Sequence, residues 1–421
     1  MTRDASQALT IIAPIDPGRR ASLDARLKQI SENVDGNALF RPKDLPHTHF
    51  MRFVVIEGAG ELPALLAWES NHDTPRDEYL AAVVHASPIE RVFECCTGFP
   101  RKVDDQVSWL VGHSYRAAAF YAAYRGVPRE QVHNDRKVHD AIRAALDTRG
   151  ARRSFDGLPP REIQRQLCEF VRIDKPSLDI TPSDDQELRW LTGKVLAVIA
   201  ALVLLPFLLV IAPFWYAVLR GKEKADIPEP TNRPVHDDKH LAELEDRVTQ
   251  NQLTHIVDIK PGWFRYATLL FVLTAIDVIA RVYSVRGDLG GITSIHFARW
   301  VILRDRWTKR GAKRHRLLFF SNYDGSWESY LGEFIDRASY GLTGVWSNTV
   351  GFPRTQRLLG AGAQDEEAFK QWTRNHQIPT QVWWSGVPDS TVQNVLDDLW
   401  IRRYLDGGLA DDEVSTWIRR L

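Results

Sequence analysis

Five short motifs recur in the same order in the two ends of this chain, at offsets that increase from 244 to 260 residues. Ordered self-similarity constrains the fold more than any local pattern, because it predicts two copies of one structural unit. The motif pairs are LTIIAPIDPG at 9–18 with LTHIVDIKPG at 253–262, HFMR at 49–52 with HFAR at 296–299, SNHD at 70–73 with SNYD at 321–324, GFPR at 98–101 with 351–354, and GVP at 126–128 with 386–388. We therefore interpret the chain as an internal duplication: unit one at 1–150, a helical linker at 151–250 and unit two at 251–421.

Local periodicity predicts the elements of each unit. In unit one we expect strands at 9–15, 48–57, 63–70 and 89–96 and helices at 22–30 and 76–87, an order written βαββαβ. Each unit then adds a strand, at 118–124 or 381–384, and a helix after GVP. This order resembles the dimeric α+β barrel superfamily, in which two ferredoxin-like sheets pack face to face, often with a ligand cleft beside or between them. The resemblance implies an α+β fold of tandem ferredoxin-like units packed as a pseudo-dimer.

The linker contains an uncharged apolar segment at 195–219. It is long enough to cross a hydrocarbon core of about 30 Å. Lys194 precedes it and Arg220 follows it, while Trp215 and Tyr216 stand where interface aromatics usually lie. The segment is predicted to contact membrane lipid.

The duplication limits how this segment can meet a bilayer, because two units that pack together lie on one side of it. A second apolar stretch at 264–280 contains Arg265 and Asp277 and directly follows a predicted strand. A return crossing there would leave that β-strand on the opposite side of the membrane from the rest of unit two. We predict a monotopic arrangement, bent or re-entrant near Pro206. The alternatives are one full crossing with separated units, and a soluble homo-oligomer that buries 195–219. The polar N-terminus lacks a signal-peptide core, which favours the cytoplasmic side.

Polar motifs at strand ends provide the candidate site residues. His and Arg of the HFxR motif are three apart, so on a strand they should point to opposite faces. Both this motif and SNxD also have structural explanations, as hydrogen-bonding groups or as caps of the following helix. The candidate catalytic residues are His296, Arg299, Asn322, Asp324 and Arg354, with the repeat equivalents His49, Arg52, Asn71, Asp73 and Arg101.

The run that ends in Asp324 and Gly325 resembles the end of the Gly-x-x-Asp-Gly motif of dye-decolorising peroxidases, which share the dimeric α+β barrel fold. That resemblance implies haem, with this Asp and a nearby Arg beside it. Ser321 stands where the first glycine of the motif belongs. The candidates for the proximal haem ligand, by helical context, are His376, His113 and His139. The sequence does not identify the cofactor.

Composition excludes several function classes. Lys and Arg total 54 and Asp and Glu total 54, so no excess of basic charge indicates a nucleic-acid partner. Basic residues concentrate at 304–316, which fits a solvated loop or contact with anionic lipid headgroups. The three cysteines form no pattern with zinc-site spacing, so we expect no metal site.

Two functions from different classes remain open. The first is a membrane-surface enzyme that acts on an apolar or lipid-like small molecule, with peroxidase-like redox chemistry as one version. The second is a non-catalytic, membrane-docked binding or scaffold module. Unit two carries the apolar helix, the basic hairpin and the richer polar motif, so we expect the site there.

Overall fold

A computed structural model of the chain describes residues 6–147, 155, 157–181, 187–230, 249–284, 286–304 and 315–421. These residues form a mixed α+β fold with antiparallel sheets, which confirms the fold class at that level. The strands are β1 (Gln7–Pro14), β2 (Thr48–Ile56), β3 (Leu65–His72), β4 (Ala117–Ala122), β5 (Gln250–Asp258), β6 (Ile295–Arg304), β7 (His315–Asp324), β8 (Thr355–Gln356), β9 (Gly360–Ala361) and β10 (Val382–Ser385). Residues 305–314 of the predicted basic hairpin lie outside the described residues.

Twelve α-helices are described among the same residues. They are α1 (Arg20–Glu32), α2 (Arg76–Ala86), α3 (Glu90–Phe93), α4 (Val103–Gly112), α5 (Arg129–Asp147), α6 (Pro160–Asp174), α7 (Glu187–Ala225), α8 (Trp263–Val282), α9 (Trp327–Trp346), α10 (Glu366–His376), α11 (Val392–Tyr404) and α12 (Asp411–Ile418). Leu23, Leu27 and Ile30 of α1 are all buried, as their spacing predicted.

Each four-stranded sheet combines three strands of one unit with one strand of the other. The first has the order β1-β3-β2-β10 and the second the order β5-β7-β6-β4. Strand β10 of unit two pairs antiparallel with β2, with Val382 opposite Phe53. Strand β4 of unit one pairs in the same way with β6, with Ala122 opposite Phe297. The two orders are the same when β1, β3, β2 and β10 are matched with β5, β7, β6 and β4.

The fourth predicted strand, at 89–96, is wrong. The chain forms the short helix α3 there, and Cys96 makes an isolated bridge to Ile15. Ile89, Val92 and Phe93 are all buried at i, i+3 and i+4, which is helical spacing. A short apolar run fits a strand or a buried helical turn equally well, and here the helix forms. Strand β4 is therefore the added strand, and it completes the sheet of the other unit.

The inner faces of the two sheets pack against each other. Ile12, Val54 and Ile56 of unit one lie in one buried cluster with Val301, Leu303, Leu318 and Phe320 of unit two. All nine residues of β2 are buried, because its other face packs on the helices of unit one. The contact between the units is therefore a protein core.

Helices α5 and α11 form a second contact between the units, through two reciprocal ion pairs. Asp135 of α5 pairs with Arg402 of α11 at 2.5 Å, and His139 of α5 pairs with Asp398 of α11 at 2.6 Å. This reciprocity matches Asp135 with Asp398, an offset of 263. The helices therefore align three residues later than the offset of 260 in the GVP motif, because unit two has three more residues, 389–391, between that motif and its helix.

His255 on β5 is a buried, uncharged histidine in the core of unit two. Its ring lies 4.8 Å from those of Trp346 and Trp372 and 5.6 Å from that of His376, and neither ring nitrogen has a hydrogen-bond partner among the described residues. Burial, with a smaller contribution from His376, holds the pKa of His255 well below its usual value.

We expect His255 to make the protein acid-sensitive. The unfolded chain gains a proton at this residue below about pH 6.5 and the folded chain does not, so the free energy of unfolding falls by about 1.4 kcal/mol per pH unit. His255→Leu should reduce the difference between urea midpoints at pH 7.5 and pH 5.0. The exposed His85→Gln serves as the control. An unchanged pH dependence in His255→Leu would contradict the assignment.

Candidate functional site

The histidines of the HFxR motifs each occupy a β-bulge. The register between β2 and β3 skips from Thr48 to Phe50, and that between β6 and β7 skips from Ile295 to Phe297. The residue left unpaired is His49 in one unit and His296 in the other. A bulge interrupts the alternation of side chains along a strand. His49 and Arg52 therefore both contact unit two, and our expectation that they point to opposite faces is wrong.

Each bulged histidine is held by the aspartate of the SNxD motif. His49 Nε2 lies 2.6 Å from Asp73 Oδ1, and Asp73 Oδ2 accepts a 2.7 Å hydrogen bond from the Arg129 amide at the start of α5. In unit two, His296 Nε2 lies 2.8 Å from Asp324 Oδ1. Asp324 Oδ2 accepts from the Val392 amide at the start of α11, again at 2.7 Å.

These aspartates do cap helices, but not the helices that directly follow them in sequence. Each binds the helix that comes after the GVP motif, because that helix returns to the end of β3 or β7. Tyr124 adds a hydroxyl 3.0 Å from His296 Nδ1. Burial, together with the Asp324 and Asp73 carboxylates, raises the pKa of Tyr124, so the hydroxyl stays protonated.

The arginines of the HFxR motifs cross between the units. Arg52 donates to the carbonyl oxygens of Leu253 and Ser321 at 2.9 and 2.8 Å and to Asn322 Oδ1 at 2.7 Å. It also donates to Thr254 Oγ1 at 3.1 Å. All four partners belong to unit two.

Arg299 makes the reciprocal set of bonds into unit one. It donates to the carbonyl oxygens of Leu9 and Ser70 at 2.6 and 3.0 Å, and to the side-chain oxygens of Thr10 and Asn71. Each partner is the repeat equivalent of a partner of Arg52. Side chains that are matched in the repeat therefore have matched contacts.

Glu69 breaks this symmetry, because its equivalent in unit two is Phe320. Arg52 Nε donates to Glu69 Oε2 at 2.9 Å, and Arg299 Nη2 donates to Glu69 Oε1 at 2.5 Å. All three side chains are at most 1% exposed. One carboxylate thus serves two buried guanidinium groups. Burial lowers the pKa of Arg299 to about 10, and Glu69 opposes that shift.

The structure brings together eight of the ten candidate residues and leaves two apart. Arg101 is exposed, and Arg354 is exposed at a cavity of about 440 Å³ with Glu229 and Asp365. Arg354 therefore lies apart from the other four candidate catalytic residues of unit two. His296, Arg299 and Asn322 are at most 1% exposed.

The residues present do not fit a haem. Asp324 is bonded to His296 and to the start of α11, and Arg299 is bonded into unit one, so both have protein partners at the positions where a haem would need them. Of the three proximal candidates, His376 bonds to Trp372 and Glu229, His139 to Asp398, and His113 to Trp109.

Sequence reasoning missed Glu69 and the threonine pair Thr10 and Thr254. The threonines lie inside the first repeated motif and were therefore detectable by the same comparison. Glu69 was not detectable in that way, because a comparison of repeats finds only what both copies keep.

A second candidate site is the apolar surface formed by α7 and α8. By length and composition both helices are capable of crossing a membrane. An apolar stretch of 18 residues within Leu191–Ala225 has a mean hydropathy of 3.2 and no buried residue, and a stretch of the same length within α8 has a mean hydropathy of 1.6 and is one-third buried. Helix α7 continues through Pro206 and Pro213. Of the two expected forms near Pro206, bent or re-entrant, the re-entrant turn is therefore wrong: each proline removes one hydrogen bond without ending the apolar helix.

Helix α7 lies antiparallel along α8 and contacts it near both ends. Gly193 lies against the Val282 side chain. Near the other end, Trp215 Nε1 donates to Thr268 Oγ1 at 3.1 Å, and its ring lies 6.2 Å from that of Phe264. Of the predicted interface residues, Trp215 is thus partly buried on α8, whereas Tyr216 stays exposed.

The C-terminal end of α7 is fixed into unit two. The Glu223 carboxylate, 4% exposed, accepts from the amides of Leu358 and Arg357 at 2.7 and 3.1 Å and pairs with Arg220. Helix α8 in turn packs on β4, and Asp277 accepts a 3.0 Å bond from the Phe120 amide. The apolar surface is therefore attached to the α+β body.

We expect Glu69→Gln to destabilise the protein severely, by about 3–5 kcal/mol, because it leaves two buried arginines without a counter-charge. The matched control is Glu57→Gln, which removes the surface ion pair with Arg20 and should cost at most about 1 kcal/mol. Urea unfolding at pH 7.5 measures both. Equal effects of the two substitutions would show that the buried triad does not depend on its charge.

Comparisons with protein-family models, with curated proteins and with solved structures gave no match. The resemblances to dimeric α+β barrels and to dye-decolorising peroxidases therefore stay expectations from the sequence. What can be said of function rests on the two candidate sites, one buried and polar, the other exposed and apolar.

Proposed function

We propose that this protein is a non-catalytic, membrane-docked binding or scaffold module, with the α7–α8 pair lying in the surface of a bilayer. The observation that carries the proposal is the exposure of α7 while it is attached along a folded body. Its apolar side chains reach 62–70% exposure at Leu202, Val203, Phe207, Leu209 and Val210. Burying one such side chain contributes about 1.5–3 kcal/mol, so several are enough to retain the protein at a membrane.

The attachment of α7 supports a monotopic arrangement over a crossing. Helix α8 lies on the sheet, and α7 lies along α8 and is joined to unit two at Glu223. A perpendicular crossing by α7 would therefore carry part of the sheet into the hydrocarbon. Exposed apolar residues of α8 extend the same surface: Trp263, Phe271, Val278 and Ile279. Lys194 and Lys222 near the two ends of the apolar stretch suit the headgroup region.

The buried polar site supports the non-catalytic alternative over the enzyme. General acid–base or redox chemistry needs a group that a substrate can reach. His296 and Arg299 instead are buried and bonded to protein groups among the described residues. Their bonds to unit one join the two units.

We also infer a duplicated origin with the units packed as a pseudo-dimer. The reciprocal bonds of Arg52 and Arg299, the exchanged strands β4 and β10, and the reciprocal pairs of α5 and α11 support it. Such reciprocity is what an ancestral two-fold dimer leaves behind when its two chains are fused.

The lipid test uses the full chain synthesised without cells in the presence of phosphatidylcholine vesicles, followed by flotation. We expect the triple variant Phe207→Gln, Leu209→Gln and Val210→Gln to have a vesicle affinity at least about tenfold lower than that of the wild type. The substitutions remove apolar surface from the bilayer without adding charge. The matched control replaces three exposed apolar residues elsewhere by Gln: Val103, Ile173 and Leu359.

Vesicle binding that is equal in the two triple variants would contradict the proposal. So would a wild-type chain that stays in solution as an oligomer and loses that oligomer in the α7 variant. Protease access to tags at residues 2 and 421 separates the two membrane arrangements, since a single crossing places the tags on opposite sides.

A further inference from the structure

We propose that unit one binds a divalent transition-metal cation, Zn²⁺ by preference, through His47, Asp73 and Glu130. One donor atom from each residue lies within 4.8 Å of the others. His47 Nδ1 is 3.3 Å from Glu130 Oε2. A cation with ligand bonds of about 2.0–2.2 Å draws such atoms together by small side-chain rotations. This site is separate from the apolar surface and does not depend on membrane docking.

Three elements bring these ligands to one place. His47 directly precedes β2, and Asp73 directly follows β3, which pairs with β2. The Asp73 amide donates to the His47 carbonyl oxygen at 3.1 Å, which holds the two loops together. Glu130 is the second residue of α5, the helix that Asp73 caps. Because the ligands are 26 and 57 residues apart in sequence, no local motif indicated a metal site.

The surroundings of Asp73 are those of a metal ligand with an ordered outer shell. Its side chain is only 4% exposed, and its two oxygens are oriented by His49 Nε2 and by the Arg129 amide. Each carboxylate oxygen keeps a lone pair beyond that bond. Outer-shell groups of this kind fix the direction of a ligand and strengthen metal binding. His47 and Glu130 are 44% and 54% exposed, so the remaining coordination positions open to water.

Unit two provides an internal comparison. It keeps the His296–Asp324 pair, the cap on the Val392 amide, and a 2.8 Å bond from the Asp324 amide to the Ser294 carbonyl oxygen. That bond matches Ser294 with His47. The caps match Val392 with Arg129, so the next residues, Gln393 and Glu130, also correspond. The buried His–Asp pair therefore needs neither an imidazole nor a carboxylate at these two positions, and unit one has both.

The donor set decides the kind of cation. One imidazole and two carboxylates suit Zn²⁺, whereas Ca²⁺ and Mg²⁺ prefer oxygen donors alone. The two carboxylates balance the charge of the ion. Arg129, whose Nη2 is 3.6 Å from Glu130 Oε1, opposes it and weakens binding.

The test is calorimetric titration of tag-free, full-length protein, freed of metal by chelator, with ZnCl₂. Binding of Co²⁺ is followed in parallel by its visible absorption. We expect one equivalent of either ion. His47→Ala and Glu130→Gln should each lower the affinity about tenfold or more, as loss of a direct ligand requires. The matched controls in unit two, Ser294→Ala and Gln393→Ala, should bind as the wild type does.

A gain-of-site variant completes the experiment. Ser294→His combined with Gln393→Glu should raise the stoichiometry from one to two, because unit two already has the aspartate and its outer shell. No binding to the wild type would overturn the proposal. Undiminished binding to both His47→Ala and Glu130→Gln, with folding verified by circular dichroism, would also overturn it.

Discussion

The Glu69 carboxylate, held between Arg52 and Arg299, is the interaction on which the rest of the structure depends. Three charged side chains lie where two sheets meet, and the cost of burying them is offset by the Arg52–Glu69 pair within unit one and by bonds that reach the other unit. If either unit were separated from its partner, an arginine would lose the carbonyl and amide oxygens that accept its protons. The same side chains that join the units thus disfavour each unit on its own.

Strand exchange strengthens that dependence. Strand β10 completes the edge of the first sheet and β4 completes the edge of the second, so each covers an edge that would otherwise offer unpaired backbone groups. The apolar layer of Val54, Ile56, Val301 and Leu303 then closes between the sheets. Buried charge, exchanged strands and apolar layer act at one interface, and the apolar helices attach to its outside.

Repetition within the sequence was the best guide to what is buried. Residues of the motifs that recur in both units make matched pairs: His49 pairs with Asp73, and His296 pairs with Asp324. Strands β1 to β3 and helix α1 lie close to their predicted positions. The pairing of β4 with β6 was beyond reach, because an alternating strand does not specify its partner. The helix at Glu90–Phe93 was missed because its apolar spacing fits both periods. Glu69 was missed because only one copy has it.

The exchange of strands also sets an order of events during synthesis. Strand β2 leaves the ribosome roughly 300 residues before β10, an interval of about 15–65 s at 5–20 residues per second. Throughout that interval its edge has no partner, and the exposed apolar helix α7 emerges within the same interval. A nascent chain with an unpaired strand edge and an exposed apolar helix is prone to aggregate and to bind chaperones. Delivery of α7 to a membrane before unit two is complete would shorten that exposure.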